Sequence, residues 1–285
     1  MRISSIKSPE KRAKFAARWR KRLAGVLRKP TATAPIFVTG MQRSGTTMLM
    51  NTFQLHEHAE VHDEAAESQV FLDYRIRDMA TLDGSIERSR YPFICYKIIS
   101  DSHILGDFLK RYPSARVLWA YRSARDNADS QLKKFPHATR AIKLVCDGKP
   151  GGGWFAEGCS EATVATLQNL DRSEFSEFDY ACLVWWARNI LFFEGAHESH
   201  TSVRLLQYEE TARDPHAMMK AVQDWIGIPV SSGAARFVHA RSVAKKNLPP
   251  LQPSVAALVD DLEARMNTLC QAQWQTPLAA QAASA

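Results

Sequence analysis

The chain has 285 residues, 45% of them apolar and 24% charged, with a formal net charge of +7 at pH 7. That length and apolar share suit one large globular domain or two small ones with a sizeable core. No apolar run approaches the roughly 20 residues needed to span a bilayer, and the N-terminus lacks the apolar stretch and small-residue cleavage site of a secretory signal. Five scattered cysteines (Cys95, Cys146, Cys159, Cys182, Cys270) form no C-x-x-C pair, a usage expected of reduced thiols in a cytoplasmic protein. Cys95 and Cys182 lie in apolar surroundings and are expected in the core.

Much of the positive charge falls in residues 1 to 30, where Glu10 is the lone acid. Phe15, Trp19, Leu23 and Val26 recur there at helical spacing. Such a basic amphipathic helix either packs its stripe on the domain or lies on an anionic membrane surface, which would make the protein peripheral to the membrane. Lys29 to Thr33 reads as a linker. The organisation expected is therefore a basic helix and linker over 1–34, one domain over 35–275 and a frayed Ala/Gln tail over 276–285.

The stretch PIFVTGMQRSGTTMLMNTF, Pro35 to Phe53, begins with the β-prone run Ile36, Phe37, Val38 and turns at Gly40. Gly45 then leads into Thr46, Thr47 and an apolar helical run to Leu55. Strand, glycine-bounded turn and helix start make an anion cradle: backbone N–H groups converge and the helix dipole adds partial positive charge. The spacing G-x4-G-T-T falls short of the nucleotide-binding G-x4-G-K-S/T, because Thr46 stands where that motif needs lysine for the β- and γ-phosphates. The cation sits inside the turn instead, at Arg43. An anionic ligand other than a nucleoside triphosphate is expected; the plain alternative is an ordinary glycine turn.

Farther on, HEHAEVHDEAAE clusters His56, His58 and His62 with Glu57, Glu60, Asp63 and Glu64, but without H-E-x-x-H spacing or a completing ligand, so no metal is expected. A helix is predicted from Glu67 to Asp78, with Val70, Phe71, Tyr74 and Met79 inward. Phe93 to Ile98 reads as a strand and His103 to Tyr112 as a helix stopped by Pro113. Arg116 to Tyr121 is a second apolar strand, running into Arg122 and the loop-helix segment RSARDNADSQLKK. Successive β-α units imply a parallel sheet, and ligands in such sheets lie beyond the carboxyl ends of the strands. Residues 136 to 158, with Gly151-Gly152-Gly153 before Trp154-Phe155, read as a long irregular binding loop or lid. Helices are predicted near 160–169 and 179–197; Trp185-Trp186 in the latter fits core spacing better than a stacking platform. Val203 to Gln207 is a strand ending on Tyr208-Glu209, followed by a helix from Asp214-Pro215 to Ile226 that stops at Gly227. A final helix is predicted from Ser254 to Cys270.

Three segments, the loop around Arg43, the run from Arg122 to Ser130 and the strand ending on Tyr208, together resemble the sulfotransferases that use 3′-phosphoadenosine-5′-phosphosulfate (PAPS). The resemblance runs from about Pro35 to Gly227 and implies a three-layer, P-loop-like α/β fold with a central parallel sheet flanked by helices. It implies that Arg43, Ser44, Gly45, Thr46 and Thr47 wrap the 5′-phosphosulfate. Arg122 and Ser130, eight residues apart as in the family, would hold the 3′-phosphate, and Tyr208 would contact the adenine region. The arginine in QRSGTT matches the tyrosylprotein and many bacterial members. Glu64 falls where that branch places its catalytic base, with Glu67 and His62 as rivals and a mere helix cap as the plain alternative. Lys97, at a strand end, either reaches the sulfonate or is solvated at the rim. A glycine-rich C-terminal nucleotide loop is absent, leaving Arg241, Lys245 or Lys246 to close over the nucleotide. The acceptor implied is a hydroxyl, with a carbohydrate or other metabolite favoured. The competing readings are a P-loop kinase or NTPase, which lacks its lysine and magnesium-binding aspartate here, and a basic membrane- or nucleic-acid-binding module. The latter leaves the ordered motifs unexplained, so no nucleic-acid partner is expected.

Overall fold

A computed structural model describes Trp19 and residues 32–64, 68–135, 137–231, 233, 235, 238 and 247–275. The basic N-terminal segment apart from Trp19, Glu67, the Arg241–Lys246 run and the tail lie outside the described residues. In chain order the elements are β1 (Ala34–Gly40), α1 (Thr46–Leu55), β2 (Ala59–His62), β3 (Phe71–Leu72), β4 (Arg75–Ile76), α2 (Met79–Arg88), β5 (Phe93–Lys97), α3 (Leu105–Arg111), β6 (Arg116–Tyr121), α4 (Ala124–Lys134), α5 (Arg140–Cys146), α6 (Glu161–Gln168), α7 (Glu177–Glu194), β7 (Val203–Gln207), α8 (Tyr208–Arg213), α9 (Pro215–Ile226) and α10 (Pro253–Gln275).

Five strands pair in parallel in the order β2-β5-β1-β6-β7. The three inner strands are almost wholly buried, as expected of a parallel sheet covered on both faces. Side-chain alternation divides the core into two layers. Phe37, Tyr96, Trp119 and Tyr121 point to one face, covered by α2, α3, α4, α7 and α10. Ile36, Val38, Cys95, Leu118 and Ala120 point to the other, covered by α1 and α9. This is the three-layer α/β arrangement the resemblance implied, and Cys95 and Cys182 are both buried in it.

The packing positions the site. β1 and β6 are neighbours, yet α1 follows β1 onto one face and α4 follows β6 onto the other. The chain thus splays apart beyond the carboxyl ends of these strands, where ligands of open α/β sheets lie. Gly40 makes the close approach possible: its φ is 113°, and a Cβ there would fall 2.1 Å from the Ala120 carbonyl oxygen of β6. Backbone cannot yield as a flexible side chain does. Gly40→Ala is therefore expected to destabilise the fold by about 3 kcal/mol or more, read as a shift in the urea midpoint at unchanged slope.

One local prediction is corrected. The stretch 67–78 contains no helix among its described residues; β3 and β4 pair as a hairpin, Phe71 opposite Ile76 and Leu72 opposite Arg75. Asp73 and Tyr74 both adopt positive φ, 49° and 64°, the backbone of a two-residue hairpin turn, and Tyr74 is exposed. The helix starts after Asp78, whose carboxylate accepts from Thr81 N at 2.6 Å as its N-cap. An element with no counterpart in the sequence reading is β2, the edge strand inside the histidine-rich run; His56 Nε2 meets Pro229 O at 2.7 Å and His62 Nε2 meets Glu60 Oε1 at 3.0 Å. The long irregular stretch also contains α5 and a short 3-10 turn at Gly153–Phe155.

Candidate active site

The turn after β1 runs Met41 to Gly45, with Arg43 at φ 67° and Gly45 at φ 91°. Left-handed backbone at a non-glycine residue costs about 1 kcal/mol, and here it directs Arg43 outward while Ser44 and Thr46 are buried. Gly45 is the N-cap of α1, and a Cβ on it would lie 2.8 Å from Tyr208 Cδ2. The first turn of α1 has neither a side-chain cap nor an acidic residue, so its N–H groups stay open to an anion. The start of α4 is closed: Ser123 N donates to Glu209 Oε1 at 3.1 Å and Ala124 N to Glu263 Oε2 at 3.0 Å. Burial pushes both carboxyls above the usual range. Of these two helix starts beside the crevice, α1 is the one with no side-chain cap and no acidic residue in its first turn.

The second segment meets the first directly. Arg43 Nε donates to Ser130 Oγ at 3.0 Å, across 87 residues of sequence. Deeper, Asn127 Nδ2 donates to Gln42 O at 2.8 Å and to Ser44 Oγ at 3.0 Å. Arg122 is buried, with Nη2 at 3.4 Å from Asp126 and Nε at 3.7 Å from Glu209. Its guanidinium lies over the Tyr208 ring, 4.9 Å from the centroid, within cation–π range. Trp185 is core, and its indole N–H holds the Arg122 carbonyl at 2.9 Å. The three segments meet at one end of the sheet.

Beyond β5, Ile98 N donates to Val38 O and Thr39 Oγ1 to Ile98 O, at 2.9 and 3.1 Å, which ties the next segment to β1 beside the turn. Glu64 is buried against it: Oε2 accepts from Ile99 N at 2.8 Å and Ser100 N at 3.4 Å, and Oε1 lies 3.7 Å from Lys97 Nζ. Among the described residues Glu64 caps no helix. Burial pushes its carboxyl up to about 7, against the opposing pull of Lys97 and the two backbone donors. Lys97 is also 3.4 Å from Asp63, and is held in a pocket of acids rather than solvated. His62 is turned away onto Glu60 and stacks on Tyr96 at 5.3 Å.

The structure thus joins Arg43 to Ser130 and Ser44 to Asn127, sets Tyr208 beside both Gly45 and Arg122, and groups Glu64 with Lys97. Thr47 is exposed at the first turn of α1. Sequence reasoning missed Asn127, Glu209 and Glu263. Asn127 and Glu209 were inside recognised motifs, but nothing in their spacing said which way they face.

A family model described as "Sulfotransferase domain" matches residues 33–249. Among solved structures, the sulfotransferase of Alicyclobacillus acidocaldarius is 17% identical, with 88% of this chain and 99% of that one covered at a TM-score of 0.49. The sulfotransferase domain from the curacin biosynthetic pathway is 15% identical, with 83% and 98% covered at a TM-score of 0.51. No curated protein matches the sequence. The chain belongs to the sulfotransferase domain family.

Proposed function

We propose, from membership of the sulfotransferase domain family, that this enzyme moves a sulfonate group from PAPS to the hydroxyl of a carbohydrate or other metabolite. The observation that supports the placing of the nucleotide site is the Arg43–Ser130 hydrogen bond of 3.0 Å. It brings the cradle turn and the strand-end motif to one place, with Arg122 and Tyr208 beneath. The open N–H groups of α1, with Arg43, Ser44, Thr46 and Thr47, bind the 5′-phosphosulfate and stabilise charge on the departing phosphate. Arg122 and Ser130 hold the 3′-phosphate, and Tyr208 borders the adenine. Arginine suits this work because its planar fork pairs with two oxyanion oxygens at once.

Transfer is an in-line displacement with charge spread over the equatorial sulfonate oxygens, so positioning and electrostatics carry most of it, as in phosphoryl transfer. Glu64 takes the proton of the attacking hydroxyl, and Lys97 beside it faces the developing sulfonate charge. A carboxyl poised near 7 is a better base than one near 4.5, since a weaker acid holds the proton more firmly. Incubation with labelled PAPS and a panel of mono- and disaccharides, alcohols and phenols is expected to yield labelled acceptor and free PAP (3′-phosphoadenosine-5′-phosphate), undiminished by EDTA. Metal-dependent turnover of ATP in place of PAPS would sink the assignment.

A further inference from the structure

We infer that Asn127 is a positioning residue that sets the direction of the Ser44 hydroxyl hydrogen, making Ser44 a fixed donor to the anion in the cradle. The inference rests on the reading above, that the turn holds the 5′-phosphosulfate. Asn127 is 0% exposed and Ser44 1% exposed, so neither can exchange its partner for bulk water. The Asn127 side-chain atom 2.8 Å from the Gln42 carbonyl oxygen must be the amide nitrogen, because a carbonyl oxygen only accepts. That identification holds whichever way an amide is drawn. The amide's second hydrogen goes to Ser44 Oγ at 3.0 Å.

Ser44 Oγ is therefore an acceptor towards Asn127, and its own hydrogen must point elsewhere. Among the described residues it donates to no group. The open N–H groups of α1 start two residues away, so the hydroxyl lies beside the place where an oxyanion sits. Among the described residues Asn127 Oδ1 is buried without a hydrogen-bond partner; the side-chain amide is engaged there through its donor end alone. Leaving an acceptor buried and unused is unfavourable, and the arrangement makes sense if two donors are what the turn requires. An aspartate here has the same shape and opposite polarity. It would face Gln42 O with an oxygen and accept the Ser44 hydrogen, drawing it away from the anion.

The test is a double-mutant cycle on PAP affinity by calorimetry, with thermal midpoints recorded alongside. Ser44→Ala in the wild type is expected to weaken PAP about 10-fold or more, the effect of losing a hydrogen bond to a charged group. Asn127→Asp is expected to weaken it at least as much. Adding Ser44→Ala to Asn127→Asp should then change affinity less than about twofold, because the hydroxyl no longer donates to the ligand. A merely structural Asn127 lowers the thermal midpoint without this coupling. Asn127→Ala provides the same cycle if the aspartate variant does not fold: with the hydroxyl free to rotate, Ser44→Ala should matter less than in the wild type. Equal effects of Ser44→Ala in every background overturn the inference alone; a wild type that binds no PAP overturns the functional reading and this inference with it.

Discussion

Glu64→Gln is expected to lower kcat by about 100-fold or more while leaving PAP affinity within about twofold, the pattern of a lost general base. The amide is nearly isosteric and can still accept from Ile99 N and Ser100 N, at 2.8 and 3.4 Å in the native protein. What it cannot do is take a proton. The rival with a described position, His62, is hydrogen-bonded to Glu60 at 3.0 Å and stacked on Tyr96; His62→Gln is the control that should keep most turnover. If Glu64→Gln turns over near the native rate, Glu64 leaves the mechanism and acts only as the acceptor that fixes the Ile99–Ser100 segment.

The pH dependence separates the same possibilities. With the Glu64 carboxyl pushed up to about 7 by burial, kcat/KM should rise with pH and level off above 7, as the carboxylate forms. The glutamine variant should lose that limb. Stability runs the opposite way. The folded carboxyl binds its proton more tightly than the ordinary group at 4.5, so its contribution is full below pH 4.5 and is lost as pH rises through 7. Activity and thermal midpoint should therefore change in opposite directions across that window, and Glu64→Gln should flatten both.

What could be read from the chain alone follows from the range of the interactions concerned. β1, β5, β6 and β7 are short apolar runs bounded by turn residues, and their character is local. The cradle is likewise local, since Gly40, Arg43, Gly45 and the open start of α1 lie within seven residues. The hairpin at 71–76 was hidden because Asp73-Tyr74 takes a positive-φ turn without the Asn-Gly or Asp-Gly pair that advertises one. β2 was hidden because it is an edge strand with Glu60 and His62 along it, and polar edge strands lack the apolar run of inner ones. The capping of α4 by Glu263 spans 139 residues, and no spacing rule reaches that far. Asn127 sat inside a motif, yet its function depends on which loop packs over it.

Arg122→Ala is expected to weaken PAP by about 30-fold or more, the loss of a charge-assisted grip on the 3′-phosphate. The native environment makes this a demanding prediction. Arg122 is 3% exposed and already lies 3.4 Å from Asp126 and 3.7 Å from Glu209. Removing it takes a cation from beside two acids, and breaking a buried pair from one side typically costs about 3–5 kcal/mol of stability. A fall in PAP affinity alone therefore does not separate a phosphate ligand from a buried brace. Adenosine-5′-phosphosulfate, which lacks the 3′-phosphate, does separate them. If Arg122 grips that phosphate, its loss should weaken PAP and leave adenosine-5′-phosphosulfate nearly unchanged. A brace would weaken both in proportion to the drop in thermal midpoint. Arg122→Lys sharpens the comparison, because it keeps the charge between Asp126 and Glu209 but loses the planar fork. The lysine variant should keep most of the stability and lose much of the preference for the 3′-phosphorylated ligand. Unchanged preference in a folded lysine or alanine variant would assign the 3′-phosphate to Ser130 and Arg43, which already share a hydrogen bond at the open side of the site.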